Sequence, residues 1–267
     1  MTAQATCGRA PVAGATKLAA PGLLAGRGGD NTTAAGAIAT LSAMTDKANI
    51  VFLFDVDNTL LDNDCVRAHL REHLAKHYGI AARDRYWEIL NELVDELGYT
   101  DYLGALERYR VEALHRPEIL QMSSWLVDYP FAHRLFPDAF EVLRHAQQWG
   151  QTVILSDGDA VFQPRKVERS GLWRAVDGRV LIYIHKEREL AYVERLYPAD
   201  HYVLIDDKLR ILAAVKSIWG SRVTTVFPKQ GQYAHDPEIL KSYPPADIEL
   251  AKIGDLLACD LGAFLKR

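Results

Sequence analysis

Cysteine is scarce in this chain, with three in 267 residues. Cys7, Cys65 and Cys259 form no metal-type spacing and no even set. That excludes a disulfide framework and fits free thiols in a reducing compartment, so a cytoplasmic location is expected. Long hydrophobic runs are missing as well. No stretch reaches the roughly 18 apolar residues that a membrane helix needs, so no membrane partner is expected. Positive charge is not in excess: 31 Lys and Arg stand against 35 Asp and Glu, for a net charge of −4. There is no electrostatic case for a nucleic-acid partner. No internal repeat is present. Residues 1–45 lack aromatic side chains altogether and are rich in Ala, Gly and Thr. Asp30 is their only acid before Met44, against Arg9, Lys17 and Arg27. A segment so poor in buriable surface reads as a disordered tail. A secretory signal, an organellar transit peptide and an upstream-extended start before Met44 are the rival readings. The apolar stretch Leu18 to Ala25 is interrupted by Pro21 and Gly22, which counts against a signal.

What is present is an ordinary globular composition, 49% apolar and 25% charged, in a length that suits one domain plus an insertion. The chain is organised around Ile50 to Asp62, IVFLFDVDNTLLD. Its first five residues are branched or aromatic and read as a strand buried on both faces. The sequence then turns polar at once, with Asp55, Asp57, Asn58 and Thr59. Ligands of open α/β sheets bind at the carboxyl ends of strands. Two carboxylates at such an end are costly to place unless a cation or a reaction uses them. A plain surface turn is the bland alternative, since Asp and Asn favour turns.

Helical periodicity fills the next seventy residues. Val66, Leu70, Leu74 and Tyr78 form one stripe, stopped by Gly79; Tyr86, Leu90, Leu93, Val94 and Leu97 form a second, stopped by Gly98. Tyr102 to Leu114 and Ile119 to Val127 continue the pattern up to Pro130. From Pro137 strands and helices alternate. Strands are expected at Thr152–Leu155, Val180–Ile184, Tyr202–Ile205 and, last, Val223–Phe227. Helices are expected at Phe140–Trp149, Ala160–Arg169, Glu187–Leu196 and Leu209–Trp219. The rhythm implies an α/β fold with a doubly wound, mostly parallel, Rossmann-like sheet. Residues 46–64 and 136–267 would form its core, interrupted by an all-helical insertion over 65–135.

Each strand but the last ends in chemically loaded residues: Asp55 and Asp57, then Ser156, then Lys186, then Asp206 and Asp207. If these strands are parallel neighbours, the residues share one edge. Carboxylates with water and phosphate suit Mg²⁺. A hydroxyl and a lysine suit a phosphate dianion. Taken singly, Ser156 could be a helix cap, Lys186 a solvated lysine, and Asp206 and Asp207 a favourable helix start.

D-x-D-x-T after a hydrophobic strand resembles the first motif of the haloacid dehalogenase (HAD) superfamily. The resemblance covers about residues 48–230. It implies that Asp55 is a nucleophile and Asp57 a general acid/base. Ser156 matches the hydroxyl residue of the second motif, Lys186 in IHKE the third-motif lysine, and Asp206 with Asp207 in VLIDDK the paired acids of the fourth. The helical insertion falls where the family places its first type of cap. Two departures stand out. Arg210 and Ile211 occupy positions where many members carry a further acid, and Glu187 follows the lysine where many have Pro. Lys166 is a rival for the lysine role, but it lies mid-helix.

The resemblance implies a Mg²⁺-dependent phosphatase acting on a small phosphorylated metabolite through an aspartyl-phosphate. Asp55, the Asp57 backbone carbonyl, Asp206 and Asp207 would hold the metal. Ser156, Asp157, Gly158, Asn58 and Lys186 would bind the phosphate. Asp57 disfavours a haloacid dehalogenase, whose leaving halide needs no proton. A phosphomutase shares the same core residues, and a catalytically idle binding protein is the reading from a different class. Neither oligomeric state nor substrate is legible. His69, His73 and His77, four apart on one helix, could suggest a transition metal, but no cysteine is placed to complete a site and exposed helix histidines are common. The aromatic group around Tyr86, Trp87, Tyr99, Tyr102, Tyr109 and Trp125 reads as packing rather than a base-stacking platform. Arg67, Arg108 or Arg110 could reach a substrate anion.

Overall fold

Ile50–Phe54 forms strand β1, with every residue buried. Val51 and Leu53 pack into one hydrophobic cluster, Phe52 and Phe54 into another. This alternation is the period of two of a strand covered on both faces. The computed structural model describes residues 49–116 and 119–262. The expected N-terminal tail, residues 1–45, lies outside them.

The other strands are β2 (Gln151–Asp157), β3 (Val180–Tyr183), β4 (His201–Ile205), β5 (Val223–Pro228) and β6 (Ile248–Leu250). They form one six-stranded sheet of order β3-β2-β1-β4-β5-β6. Every pairing is parallel. The expected doubly wound sheet is therefore present, with β1 at its centre. The chain runs outward from β1 in one direction, then returns to β1's other side at β4. A crevice opens at such a switch point, outside the carboxyl ends of the strands. Ile205 pairs with Phe54, so Asp206 emerges level with Asp55.

Helices α5 (Ala139–Gln147) and α6 (Phe162–Ser170) cover the face that holds Phe52 and Phe54. Helices α8 (Leu190–Leu196) and α9 (Leu209–Trp219) cover the opposite face. Between them in the chain comes a short α7 (Leu172–Ala175). The helical insertion lies between β1 and β2 and consists of α1 (Asn63–Tyr78), α2 (Ile80–Leu97), α3 (Tyr102–Glu112) and α4 (Ile119–Asp128). Asp62 caps α1 by accepting from the Cys65 N–H at 2.8 Å. Tyr86, Trp87, Tyr102 and Tyr109 are buried within the insertion, as packing side chains.

Two expectations need correction. Val223–Pro228 is not the last strand, because β6 follows a short helix α10 (Pro237–Ser242) and adds an edge beyond it. β6 has three residues, of which only Leu250 is buried, so it carries no apolar alternation to read. The helix expected from Glu187 begins at Leu190; Lys186–Arg188 form a single 3₁₀ turn that holds Lys186 at the strand end.

Candidate active site

Asp55 is the first residue beyond β1, and its N–H donates to Ile205 O on β4 at 2.9 Å. The chain then coils tightly. The N–H groups of Leu60 and Leu61 both donate to Val56 O, and Asn58 takes the left-handed conformation at φ 59°. Asn58 tolerates that conformation because its side chain bonds locally. Its Oδ1 accepts from the N–H groups of Asn63 (3.0 Å) and Asp64 (3.1 Å), at the start of α1. Thr59 Oγ1 accepts from the Asp207 N–H at 3.1 Å, tying the loop after β1 to the loop after β4. Gln230, after β5, donates to the carbonyls of Asn58 and Thr59.

This scaffold gathers the residues expected from the strand ends. Lys186 is buried, with Nζ 2.5 Å from Asp55 Oδ1, 2.6 Å from Asp206 Oδ2 and 3.2 Å from Leu155 O. Burial opposes its charge, but the Asp206 and Asp55 carboxylates outweigh that and raise its pKa well above the ordinary lysine value. Asp55, Asp206 and Asp207 are all buried, with carboxylate oxygens within 4.8 Å of one another. Burial, with the neighbouring charge of Asp55, pushes Asp206 up to about 6 and Asp207 well above the carboxylate range. Asp55 Oδ2 and both oxygens of Asp207 are buried without a hydrogen-bond partner. The Asp57 carbonyl likewise accepts nothing from the described residues. Orphaned carboxylate oxygens in so small a volume are costly unless a cation neutralises them. The donor set is all oxygen and suits a hard divalent ion such as Mg²⁺. Among the described residues no other His, Cys, Asp or Glu cluster of this kind occurs.

The expected phosphate-binding residues are distributed less simply. Lys186 stands in the cluster. Ser156 is buried beside it, and its Oγ accepts from Gln163 Nε2 at 3.0 Å. Asp157, Gly158 and Asn58 are committed to the framework. Asp157 Oδ1 accepts the Lys186 N–H at 2.8 Å; the Gly158 N–H donates to Tyr183 O and the Asn58 N–H to Leu61 O.

Lys166, mid-helix and away from every strand end, nevertheless reaches the site. Lys166 is 1% exposed and its Nζ lies 2.7 and 2.9 Å from the two oxygens of Asp57, and 3.1 Å from Asn63 Oδ1. Lys186 serves Asp55, and Lys166 serves Asp57. Gln163, also buried, spans Ser156 and, at 3.5 Å, Asp57. Neither sits at a strand end. Their signal was a pair of polar residues three apart inside the buried stripe of α6.

The two departures from the family pattern meet in space. Arg210 Nη1 lies 2.6 Å from Glu187 Oε1, so the position where many members carry an acid instead pairs with the glutamate that follows Lys186. The histidines of α1 form no metal cluster. His69 Nδ1 bonds Tyr129 Oη at 2.6 Å, and His73 stacks on Trp125 with ring centroids 4.5 Å apart. A cysteine does stand near them, since Cys65 Sγ is 3.7 Å from His69 Nε2. Above the carboxylates opens a cavity of about 310 Å³ between the sheet edge and the insertion. Asp57, Asp207, Arg67, Tyr102 and Tyr233 are among its lining.

A family model described as haloacid dehalogenase-like hydrolase matches residues 51–217. Among solved structures, a haloacid dehalogenase-like hydrolase from Burkholderia xenovorans LB400 is 60% identical, with a TM-score of 0.77 over 80% of this chain and 99% of that one. A HAD hydrolase from Bacillus subtilis bound to magnesium shares the fold at 19% identity and a TM-score of 0.53, over 79% of this chain and 98% of that one. The L-2-haloacid dehalogenase of Xanthobacter autotrophicus does so at 18% identity and a TM-score of 0.53, over 78% and 96%. No curated protein matches the chain.

Proposed function

The chain belongs to the haloacid dehalogenase-like hydrolase family, and from that premise we propose that it is a phosphatase of small phosphorylated metabolites. The observation that carries this reading is Asp57. A second carboxylate stands two residues after Asp55, lines the cavity, and is held by Lys166 on both oxygens. Cleavage of a carbon–halogen bond has no use for an acid there, whereas an alkoxide leaving from phosphorus does.

Asp55 attacks phosphorus in line and forms an aspartyl-phosphate. Asp57 gives a proton to the leaving oxygen, then takes one from the water that opens the intermediate. Lys186 offsets the negative charge that gathers between Asp55 and the phosphoryl oxygens. Asp55, Asp206, Asp207 and the Asp57 carbonyl would hold Mg²⁺. When bound, the ion supplies further charge neutralisation at the phosphoryl group. The helical insertion roofs the cavity and serves as a lid that excludes water and selects substrates. A cytoplasmic setting suits this metabolite chemistry. Among the described residues no helix is long and apolar enough to cross a membrane.

The test is a paired assay: phosphate release from 4-nitrophenyl phosphate and chloride release from 2-chloropropionate, each with and without Mg²⁺. Phosphate release that needs Mg²⁺ and vanishes in Asp55→Asn is the expected result. Chloride release without phosphate release would replace the phosphatase with a dehalogenase, and no release of either with retained ligand binding would leave a binding protein.

A further inference from the structure

Two cations of the cavity, Lys208 and Arg67, form no ion pair among the described residues, and only Arg67 stands away from the buried carboxylates. Lys208 stands among the charges of Asp207 and Asp55, and Arg210 is paired with Glu187. Outside the cavity, Arg108 pairs with Glu96 and Arg110 with Glu107. Arg67, on α1, lines the cavity and makes no ion pair with any described residue. Asp64 is the nearby acid, but its carboxylate is taken by Asn58 Nδ2 at 3.2 Å and by the Gln232 N–H at 2.7 Å. The guanidinium instead leans on Trp87, 5.7 Å from the ring centroid.

A second, independent feature stands beside it. Tyr102, on α3, is 3% exposed, lines the same cavity, and its hydroxyl is buried without a hydrogen-bond partner. Burial apart, Tyr102 is the residue that acts most strongly on the Arg67 guanidinium, so their polar ends lie close together. A half-buried guanidinium without a carboxylate partner stands beside a buried hydroxyl whose proton has no acceptor. Each carries a desolvation cost that an incoming anion removes. The guanidinium fork matches the two oxygens of a carboxylate.

We propose that Arg67 and Tyr102 form a second anion subsite, which takes a carboxylate of the substrate while its phosphoryl group lies at Asp55. The substrates are then small phosphorylated carboxylic acids, of a size that a cavity of about 310 Å³ accepts. The position of the phosphoryl group rests on the phosphatase reading; the carboxylate subsite does not.

The experiment compares 3-phosphoglycerate with glycerol 3-phosphate, which differ by a carboxylate in place of a hydroxymethyl group. The natural protein should favour 3-phosphoglycerate in kcat/KM. Arg67→Gln should cut that preference about 10–100-fold, the worth of a charged hydrogen-bonded contact. Tyr102→Phe, which keeps the ring and its packing, should cut it about fivefold. Titration of glycerate, which carries the carboxylate and no phosphate, should show about tenfold weaker binding to Arg67→Gln. A natural preference near one, or one that both variants leave intact, overturns the subsite even where both phosphates are hydrolysed. Hydrolysis of neither phosphate, with glycerate binding still weakened by Arg67→Gln, keeps the subsite and removes the phosphatase reading. Glycerate binding that ignores both variants overturns the subsite on its own.

Discussion

At the scale of single residues, the site is two lysine–aspartate pairs with different tasks. Lys186 bridges Asp55 and Asp206, and Lys166 grips both oxygens of Asp57. Asp57→Asn should therefore lose turnover on alkyl phosphates by about 10²–10⁴-fold, the usual worth of general acid–base help. It should lose less on 4-nitrophenyl phosphate, whose leaving group needs little protonation. Lys166→Met keeps the buried volume but releases Asp57, so it should show the same leaving-group dependence with a smaller loss, about 10–10²-fold. Steady-state rates across phenols of graded acidity check both variants; equal losses on all of them would mean that Lys166 only packs. The first pair could be read from the sequence, because Asp55, Lys186 and Asp206 each follow an apolar strand run. The second could not, because Lys166 and Gln163 lie within a helix whose spacing, read alone, shows a surface side chain as readily as a buried one. The framework role of Asn58 was equally hidden, since a turn residue's hydrogen bonds depend on where the next helix starts.

At the scale of elements, the helical insertion followed from its stripes, and α1 to α4 lie close to where the periodicity placed them. β6 escaped because three residues that are mostly uncovered leave no pattern. Besides the bonds from Asn58 to the start of α1, the insertion meets the Lys186 loop at Gly98. Gly98 ends α2 in the left-handed conformation at φ 80°, and a Cβ there would lie 2.6 Å from His185 Cε1. His185 immediately precedes Lys186. Gly98→Val should strain the turn by more than about 1 kcal/mol and push the roof away from the Lys186 loop. The expected outcome is a lower melting temperature and a larger loss of kcat/KM on metabolite phosphates than on aryl phosphates. Loss of stability with unchanged substrate ranking would separate the insertion from specificity.

At the scale of the whole molecule, the buried acids should make stability depend on pH and, with the proposed Mg²⁺, on metal as well. Burial and mutual repulsion raise the folded-state pKa of Asp206 to about 6 and that of Asp207 well above its ordinary value. The folded chain then holds protons that the unfolded chain has already lost above its own carboxylate pKa, about 4. Stability of the metal-free protein should fall as pH rises from about 4 through 6 and beyond. If Mg²⁺ takes the folded acid site as proposed, it should raise the melting temperature by roughly 5–10 °C at a hundredfold excess over its Kd, and more at pH 8 than at pH 5. Thermal melts with and without chelator read both effects; a metal effect equal at the two pH values would place the ion elsewhere. The covalent step at Asp55 is the centre of the proposed mechanism. The decisive measurement is rapid acid quench of Asp57→Asn with a ³²P-labelled aryl phosphate and Mg²⁺, followed by peptide mapping of the label. About one phosphate per chain on Asp55, released by hydroxylamine and absent from Asp55→Asn, is the predicted result. No trapped phosphate, or label on any other residue, would contradict the account.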